Sequence, residues 1–254
     1  MDEQRAGSPE PAPKISLRRT EKVSEVLARE IVRDLSDLPP ATMLPSESAM
    51  LAKYGVGRAS LREALRLLEV QGLIIMRPGP GGGPMVARAD SAHYGRISSL
   101  YYNLAGGTYQ DIVDARLVIE PAIARMVAEQ SDATQHEALR RYVDDRPQRD
   151  PVTSEARTVD TAAEFHALLM GMCNNLVLQL LARSLQHVLL DRGRGVKPLL
   201  EWDRIEDDHA TIARAIIDGD GDLTEELMRQ HMAKWVASAK ARHPGVLDEP
   251  VTWG

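Results

Sequence analysis

Two sets of side chains carry chemistry. His166, His209 and His231 stand in the apolar helical segments Phe165-His166-Ala167-Leu168-Leu169, Asp208-His209-Ala210-Thr211-Ile212 and Met228-Arg229-Gln230-His231-Met232. Neutral imidazoles on facing helices make a good ligand set for zinc or another transition metal. The three lie far apart in the chain and match no compact metal motif. On spacing alone, hydrogen-bonded core histidines are the stronger reading. The second set is Arg58, Arg62 and Arg66, about one per helical turn. With Leu61 at zero on a wheel of about 100° per residue, Leu65, Leu68 and Ala64 fall within roughly 60° of it. The arginines form a stripe beside that apolar face. A row of guanidinium groups suits DNA phosphates and guanine edges. In an isolated helix a solvated charged face is the commoner meaning.

The surrounding elements shift that balance. Val23, Val26, Leu27, Ile31, Val32 and Leu35 recur at helical spacing over residues 16–36. Residues 38–45 are too rich in proline for a helix interior. Ser46 is an N-cap for a short helix over 47–54, and Gly55 stops it. The arginine helix follows. Then two apolar runs, 73–77 and 85–88, flank Pro78-Gly79-Pro80-Gly81-Gly82-Gly83-Pro84, which signals a hairpin with a long loop. As a phosphate loop this stretch fails, because no Lys-Ser or Lys-Thr and no helix follow it. Two helices joined by a glycine turn, with a basic hairpin behind them, make a winged helix-turn-helix.

After Arg88 the pattern is helical throughout, with helices expected near 92–104, 109–130, 133–144, 155–173, 175–192, 201–218 and 222–242. The fold class is mainly α: an N-terminal winged helix-turn-helix over 14–88 and an all-α bundle of six or seven helices over 89–243, with tails at 1–13 and 244–254. Residues 14–88 hold 12 Lys/Arg against 8 Asp/Glu, whereas 89–254 hold 18 against 26. A basic head on an acidic body fits a small DNA reader joined to a sensor. A single cysteine, Cys173, excludes an intrachain disulfide and points to a reducing, cytoplasmic setting. Residues 1–13 lack the apolar core of a signal peptide and read as disordered. No apolar run approaches the ~20 residues that span a bilayer.

Leu44-Pro45-Ser46-Glu47, Gly55-Val56-Gly57-Arg58, Leu61-Arg62-Glu63-Ala64-Leu65, Leu68-Glu69 and Gln71-Gly72-Leu73 resemble the N-terminal domain of GntR-type bacterial transcription regulators. The Gly-Pro wing resembles that of the FadR-like subgroup. The resemblance implies a homodimer on a palindromic operator in double-stranded DNA, with Arg58, Ser60, Arg62, Arg66, Gly81, Gly82 and Gly83 as the contact set. Two departures stand out. Ser48 occupies a place where the family usually has arginine, and Gly57 one where it has Ser or Thr.

The segments around His166, Asn175, His209, Gly219-Asp220 and His231 resemble the FadR C-terminal ligand-binding domain, FCD. That likeness implies a divalent metal, zinc or nickel, on His166, His209 and His231, and a small organic acid as effector, met by Arg116 and Asn175. The family's aspartate ligand is replaced by Ala162, and Asp160 lies about 200° away around the helix. A three-histidine site with open positions and a metal-free pocket both stay open. Arg116 can instead pair with Glu120 one turn on, and Asn175 can cap a helix. Cys173 reads as a small buried apolar residue.

The alternative function is a metal-dependent enzyme built on the histidine cluster. Against it, Glu164 points about 200° away from His166, and no nucleophile motif is evident. An architectural DNA-binding protein without ligand has no need of the large bundle. The expectation is a transcription regulator, not an enzyme.

Overall fold

In the computed structural model the chain divides into two compact units, residues 1–90 and 91–254. Residues 22–88, 90–130, 132–144, 155–193 and 202–253 are described, without the side chains of 155–162, 192–193 and 202–207. The expected tail 1–13 and residues 145–154 lie outside them.

The first unit runs α1 (Val23–Leu35), α2 (Glu47–Tyr54), α3 (Arg58–Val70), β1 (Ile74–Arg77) and β2 (Gly83–Val86). The wheel drawn for α3 is realised: Leu61, Ala64, Leu65 and Leu68 are buried together with Leu27 and Ile31 of α1, Met50 of α2, and Ile74 and Val86 of the hairpin. Each of these larger side chains contributes ~1.5–3 kcal/mol by leaving water. Ser46 Oγ accepts from the Ala49 N–H at 3.3 Å and caps α2. Gly55, at φ 63°, ends α2 in the left-handed conformation that glycine adopts without steric cost. No side chain caps α3, whose preceding residue is Gly57. Tyr54 donates to Asp34 Oδ2 while Lys53 sits 2.9 Å from the same oxygen, tying α2 to α1.

One element departs from expectation. Residues 41–44, read only as too proline-rich for a helix interior, pair along the free side of β2. The Ala41 N–H donates to Val86 O, Val86 N–H to Thr42 O, and Leu44 N–H to Pro84 O, all within 2.8–2.9 Å. Pro39 and Pro40 keep the segment out of a helix, and the extended backbone that results is free to pair. Ala41 makes the entry at φ 67°.

β1 and β2 pair antiparallel with Ile74 opposite Val86 and Arg77 opposite Gly83. The loop between them folds tightly on itself, with the Gly82 N–H bonded to Gly79 O at 2.9 Å. A Cβ on Gly82 would stand 2.2 Å from Arg77 O and 2.8 Å from Gly79 O. Both are backbone atoms that cannot swing aside. Gly82→Ala is therefore expected to open the turn at a cost of ~1–3 kcal/mol. Amide exchange across the wing should quicken by roughly fivefold to 150-fold at unchanged helical circular dichroism. Unchanged exchange would show that the turn relaxes freely.

The second unit is a bundle of seven helices among the described residues: α4 (Ser91–Leu104), α5 (Tyr109–Gln130), α6 (Ala133–Asp144), α7 (Glu155–Met172), α8 (Leu176–Gly193), α9 (Trp202–Ile217) and α10 (Gly221–Arg242). The ends of each lie beside those read from the sequence. Local chemistry sets them. Asp132 accepts from the Thr134 and Gln135 N–H groups ahead of α6, Asn175 from Val177 and Leu178 ahead of α8, and Asp220 from Leu223 ahead of α10. Phe165, Leu169, Met170, Ile123, Leu139, Ala213, Ile216 and Met228 form the main core. No helix among the described residues is long and apolar enough to cross a membrane.

Residues 244–253 pack on the bundle, where a tail was expected over 244–254. Leu247 and Val251 are buried with Tyr109, Ile112, Val113, Leu185 and Val188. Backbone bonds run from the Tyr109 N–H to Glu249 O, Gln110 N–H to Leu247 O and Val251 N–H to Gly107 O. Asn103 donates to Val251 O, and Tyr109 Oη meets Thr252 Oγ1 at 2.9 Å. Leu247 and Val251, with these hydrogen bonds, seat the strap against the corner between α4 and α5.

Candidate metal centre and nucleic-acid interface

Helix α3 presents Arg58, Arg62 and Arg66 to solvent, the first two with side chains 79% and 72% exposed. Ser60 is half-buried at the first turn. The fold brings the two halves of the expected contact set together. Arg62 and Arg66 of α3 and Gly82 and Gly83 of the wing line one cleft, floored by Leu44, Met50, Leu65 and Met76. Gly81 is exposed at the loop tip. Ser48 is exposed as well, its Oγ 3.0 Å from Ser46 Oγ beside the cap of α2. Glu47, quoted in the sequence motif without a role, lies across the arginines, with Oε1 4.0 Å from Arg58 Nε and Oε2 3.5 Å from Arg62 Nη2.

In the second unit, α7, α9 and α10 bring His166, His209 and His231 together, all three buried. Their Nε2 atoms converge. His231 Nε2 lies 3.3 Å from His166 Nε2 and 3.0 Å from His209 Nε2. Nitrogens ~2.1 Å from one metal ion, at angles between octahedral and tetrahedral, stand roughly 3.0–3.4 Å apart. Phe165 stacks on the His209 ring at 4.3 Å and fixes its plane.

The outer ring nitrogens have partners of their own. His166 Nδ1 meets Glu120 Oε2 at 2.5 Å, and His209 Nδ1 meets Tyr142 Oη at 3.3 Å. His231 Nδ1 lies 3.5 Å from Asp208 Oδ2, an ion-pair distance without a closed hydrogen bond. A carboxylate accepts only, so it assigns the proton of a neutral imidazole to the nitrogen facing it. His166 and His231 then turn bare Nε2 lone pairs toward each other. Two lone pairs in such close approach repel, and a cation between them removes the repulsion. The donor set and its backing therefore fit a metal ion.

Each backing carboxylate is held by a cation. Arg116 Nε donates to Glu120 Oε1 at 2.5 Å, and Lys234 Nζ lies 3.0 Å from Asp208 Oδ1. Burial alone would raise the Glu120 pKa, but Arg116 and His166 outweigh it and hold the carboxyl at about 2. Asp208 is held below its ordinary value by the contact with His231 first, then by Lys234, against partial burial. Burial pushes the His231 imidazole below its ordinary value, with the neighbouring Asp208 opposing. Burial thus favours at His231 the neutral imidazole that metal binding needs, with the ionised Asp208 pulling the other way.

Of the two residues expected to meet an effector, Arg116 takes the pairing with Glu120 that the sequence also allowed. It is 6% exposed and backs the histidine centre through that glutamate. Asn175 is exposed and accepts with its side-chain oxygen from two backbone N–H groups of α8, the capping contact that the sequence also allowed. Ala162 and Asp160 ride on α7, but their side chains lie outside the described residues. Glu164 is exposed and Cys173 is buried, as expected.

Residues 21–82 match the family model of bacterial regulatory proteins, gntR family, and residues 111–234 match the FCD domain. The chain belongs to the GntR family. Among relatives of this GntR regulator, the uncharacterized HTH-type transcriptional regulator Rv0494 of Mycobacterium tuberculosis is 29% identical, over 79% of this chain and 82% of its own. The HTH-type transcriptional repressor NanR of Cronobacter sakazakii is 25% identical, over 87% and 88%. The solved structure of Streptococcus agalactiae GntR superposes with a TM-score of 0.65 at 20% identity, covering 85% of this chain and 99% of that one, which supports the fold. These families and relatives are transcriptional regulators, not enzymes. The histidine centre of a GntR regulator is accordingly not read as a catalytic site.

Proposed function

We propose that this regulator reads a palindromic operator as a homodimer, through α3 and the wing of each copy. We further propose that a divalent metal on His166, His209 and His231, together with a small organic acid, controls that reading. Two heads spaced about one DNA turn apart would address the two half-sites. The role places the protein with the chromosome, in the cytoplasm. For DNA reading, the support is the stripe of three exposed arginines on α3, two of which, Arg62 and Arg66, share a cleft with the wing residues Gly82 and Gly83. For sensing, the observation that carries the reading is the convergence of three Nε2 atoms, two of them backed by carboxylates. His166, His209 and His231 would hold the ion. Bound there, it supplies a Lewis-acidic centre for a carboxylate, and three neutral ligands leave its positive charge uncancelled. An effector acts only by preferring one of the DNA-competent and DNA-incompetent states.

Thermal melting of metal-stripped full-length protein tests the sensor. Zinc or nickel at about 100 times its Kd should stabilise the bundle by about 2.7 kcal/mol, which is a rise of roughly 5–10 °C for a unit of this size. Elemental analysis should find one metal per chain. His231→Ala and His231→Gln should both lose the shift. A melting curve indifferent to metal, with no metal retained, would overturn the metal reading. Organic acids are then screened on the loaded protein against release of operator DNA.

A further inference from the structure

Glu47 stands in the first turn of α2 and reaches across to α3. One of its oxygens faces Arg58 Nε at 4.0 Å and the other faces Arg62 Nη2 at 3.5 Å. A single acid thus straddles the two arginines that lead the proposed contact set. Stability does not account for it. The Glu47 side chain is 42% exposed, both pairs are longer than hydrogen bonds, and pairs of this kind contribute ~0–1 kcal/mol. Capping does not account for it either, since Ser46 already supplies the side-chain cap of α2. Affinity for phosphates runs the wrong way, because a carboxylate on this face repels the backbone at every sequence.

The geometry points to Glu47 as a positioning residue that sets the specificity of reading by holding Arg58 and Arg62 as an oriented pair. It meets Arg58 through Nε, so the end-on fork of the two Nη atoms stays open toward guanine O6 and N7. It meets Arg62 through one Nη, leaving the other nitrogens free. A free arginine side chain carries about 2 kcal/mol of rotamer entropy, part of which must be given up on binding a base. Orienting it beforehand lowers that cost for the correct sequence alone. The same negative charge weakens binding at every sequence alike, so the gap between operator and non-operator DNA widens through the orientation alone. The inference rests on the proposal that α3 reads DNA.

The test uses the full chain and two variants that separate charge from reach. Glu47→Gln keeps the shape and removes the charge. Glu47→Asp keeps the charge and withdraws it by one methylene. Wild type selects a duplex from a randomised pool, and each protein is titrated with that duplex and with a shuffled copy at several salt concentrations. In both variants the ratio of shuffled to selected Kd should fall roughly tenfold, within the range of one guanine contact. The routes should differ. Glu47→Gln should bind the shuffled duplex more tightly than wild type does, whereas Glu47→Asp should bind it as wild type does and lose affinity for the selected one. A ratio within twofold of wild type in Glu47→Asp overturns positioning. So does loss of preference at a single cytosine with the guanines still read, which would mean that Glu47 contacts a base itself. A wild type that enriches no duplex strikes the DNA-reading proposal instead.

Discussion

Replacing Arg58 and Arg62 together by alanine is expected to remove most operator discrimination while leaving the fold intact. Each bidentate arginine–guanine contact is worth ~1–3 kcal/mol of discrimination. Two of them give about 2–6 kcal/mol, roughly thirtyfold to ten-thousandfold in the ratio of specific to non-specific affinity. Both side chains are largely exposed, at 79% and 72%, so melting should move by no more than a surface substitution allows, within about 0.5 kcal/mol. Two features concentrate the reading on this pair. Ser48 lacks the reach and charge of an arginine and leans on Ser46. Gly57 leaves the start of α3 without a side-chain cap, so no hydroxyl is added there to the contact face. Titration with a selected and a shuffled duplex measures the effect. Discrimination that survives in the double variant would move the reading to the wing.

The second large effect lies in the bundle. Glu120→Ala should destabilise the second unit by about 3–5 kcal/mol, because removing one partner of a buried pair strands the other. Arg116 is 6% exposed and Glu120 is 1% exposed, so water cannot replace the lost carboxylate. His166 loses its backing at the same time. A double-mutant cycle with Arg116→Met separates the stranded charge from lost packing: the double variant should be markedly more stable than Glu120→Ala alone. The pH dependence has a definite sign in the metal-free protein. The Glu120 carboxyl is at about 2 when folded, against 4.5 for the free side chain. Its contribution is therefore fully present above about 4.5 and fades as pH falls from there toward 2. Glu120→Ala should show less acid sensitivity across that window. Equal slopes in variant and wild type would place the pair's energy elsewhere.

Much of this was legible in the sequence because the signals are local. The apolar period of α3 fixed which face is buried and, by subtraction, where the arginines point. Glycines and capping side chains such as Asn175 and Asp220 marked the helix ends. What escaped was long-range. Glu120 and His166 are 46 residues apart, and a glutamate one turn after an arginine gives no sign that a distant imidazole will share it. Glu47 and its arginines stand on different helices, and only the crossing of α2 and α3 aims the carboxylate at them. Residues 41–44 follow two prolines that obscure a strand, and their partner β2 enters the chain only after α2, α3 and β1. Gly82 was marked as a wing residue, but the reason for glycine there is a carbonyl 2.2 Å from where a Cβ would stand.

The strap over the α4–α5 corner also orders events in time. Tyr109 Oη finds its partner Thr252 143 residues later in the chain. At roughly 5–20 residues per second of synthesis, that partner is made about 7–30 s after Tyr109. The cluster of Tyr109, Ile112, Val113, Leu247 and Val251 stays open for that interval. The first unit, residues 1–90, closes on contacts of its own. On the ribosome, then, the first unit completes its core well before the second.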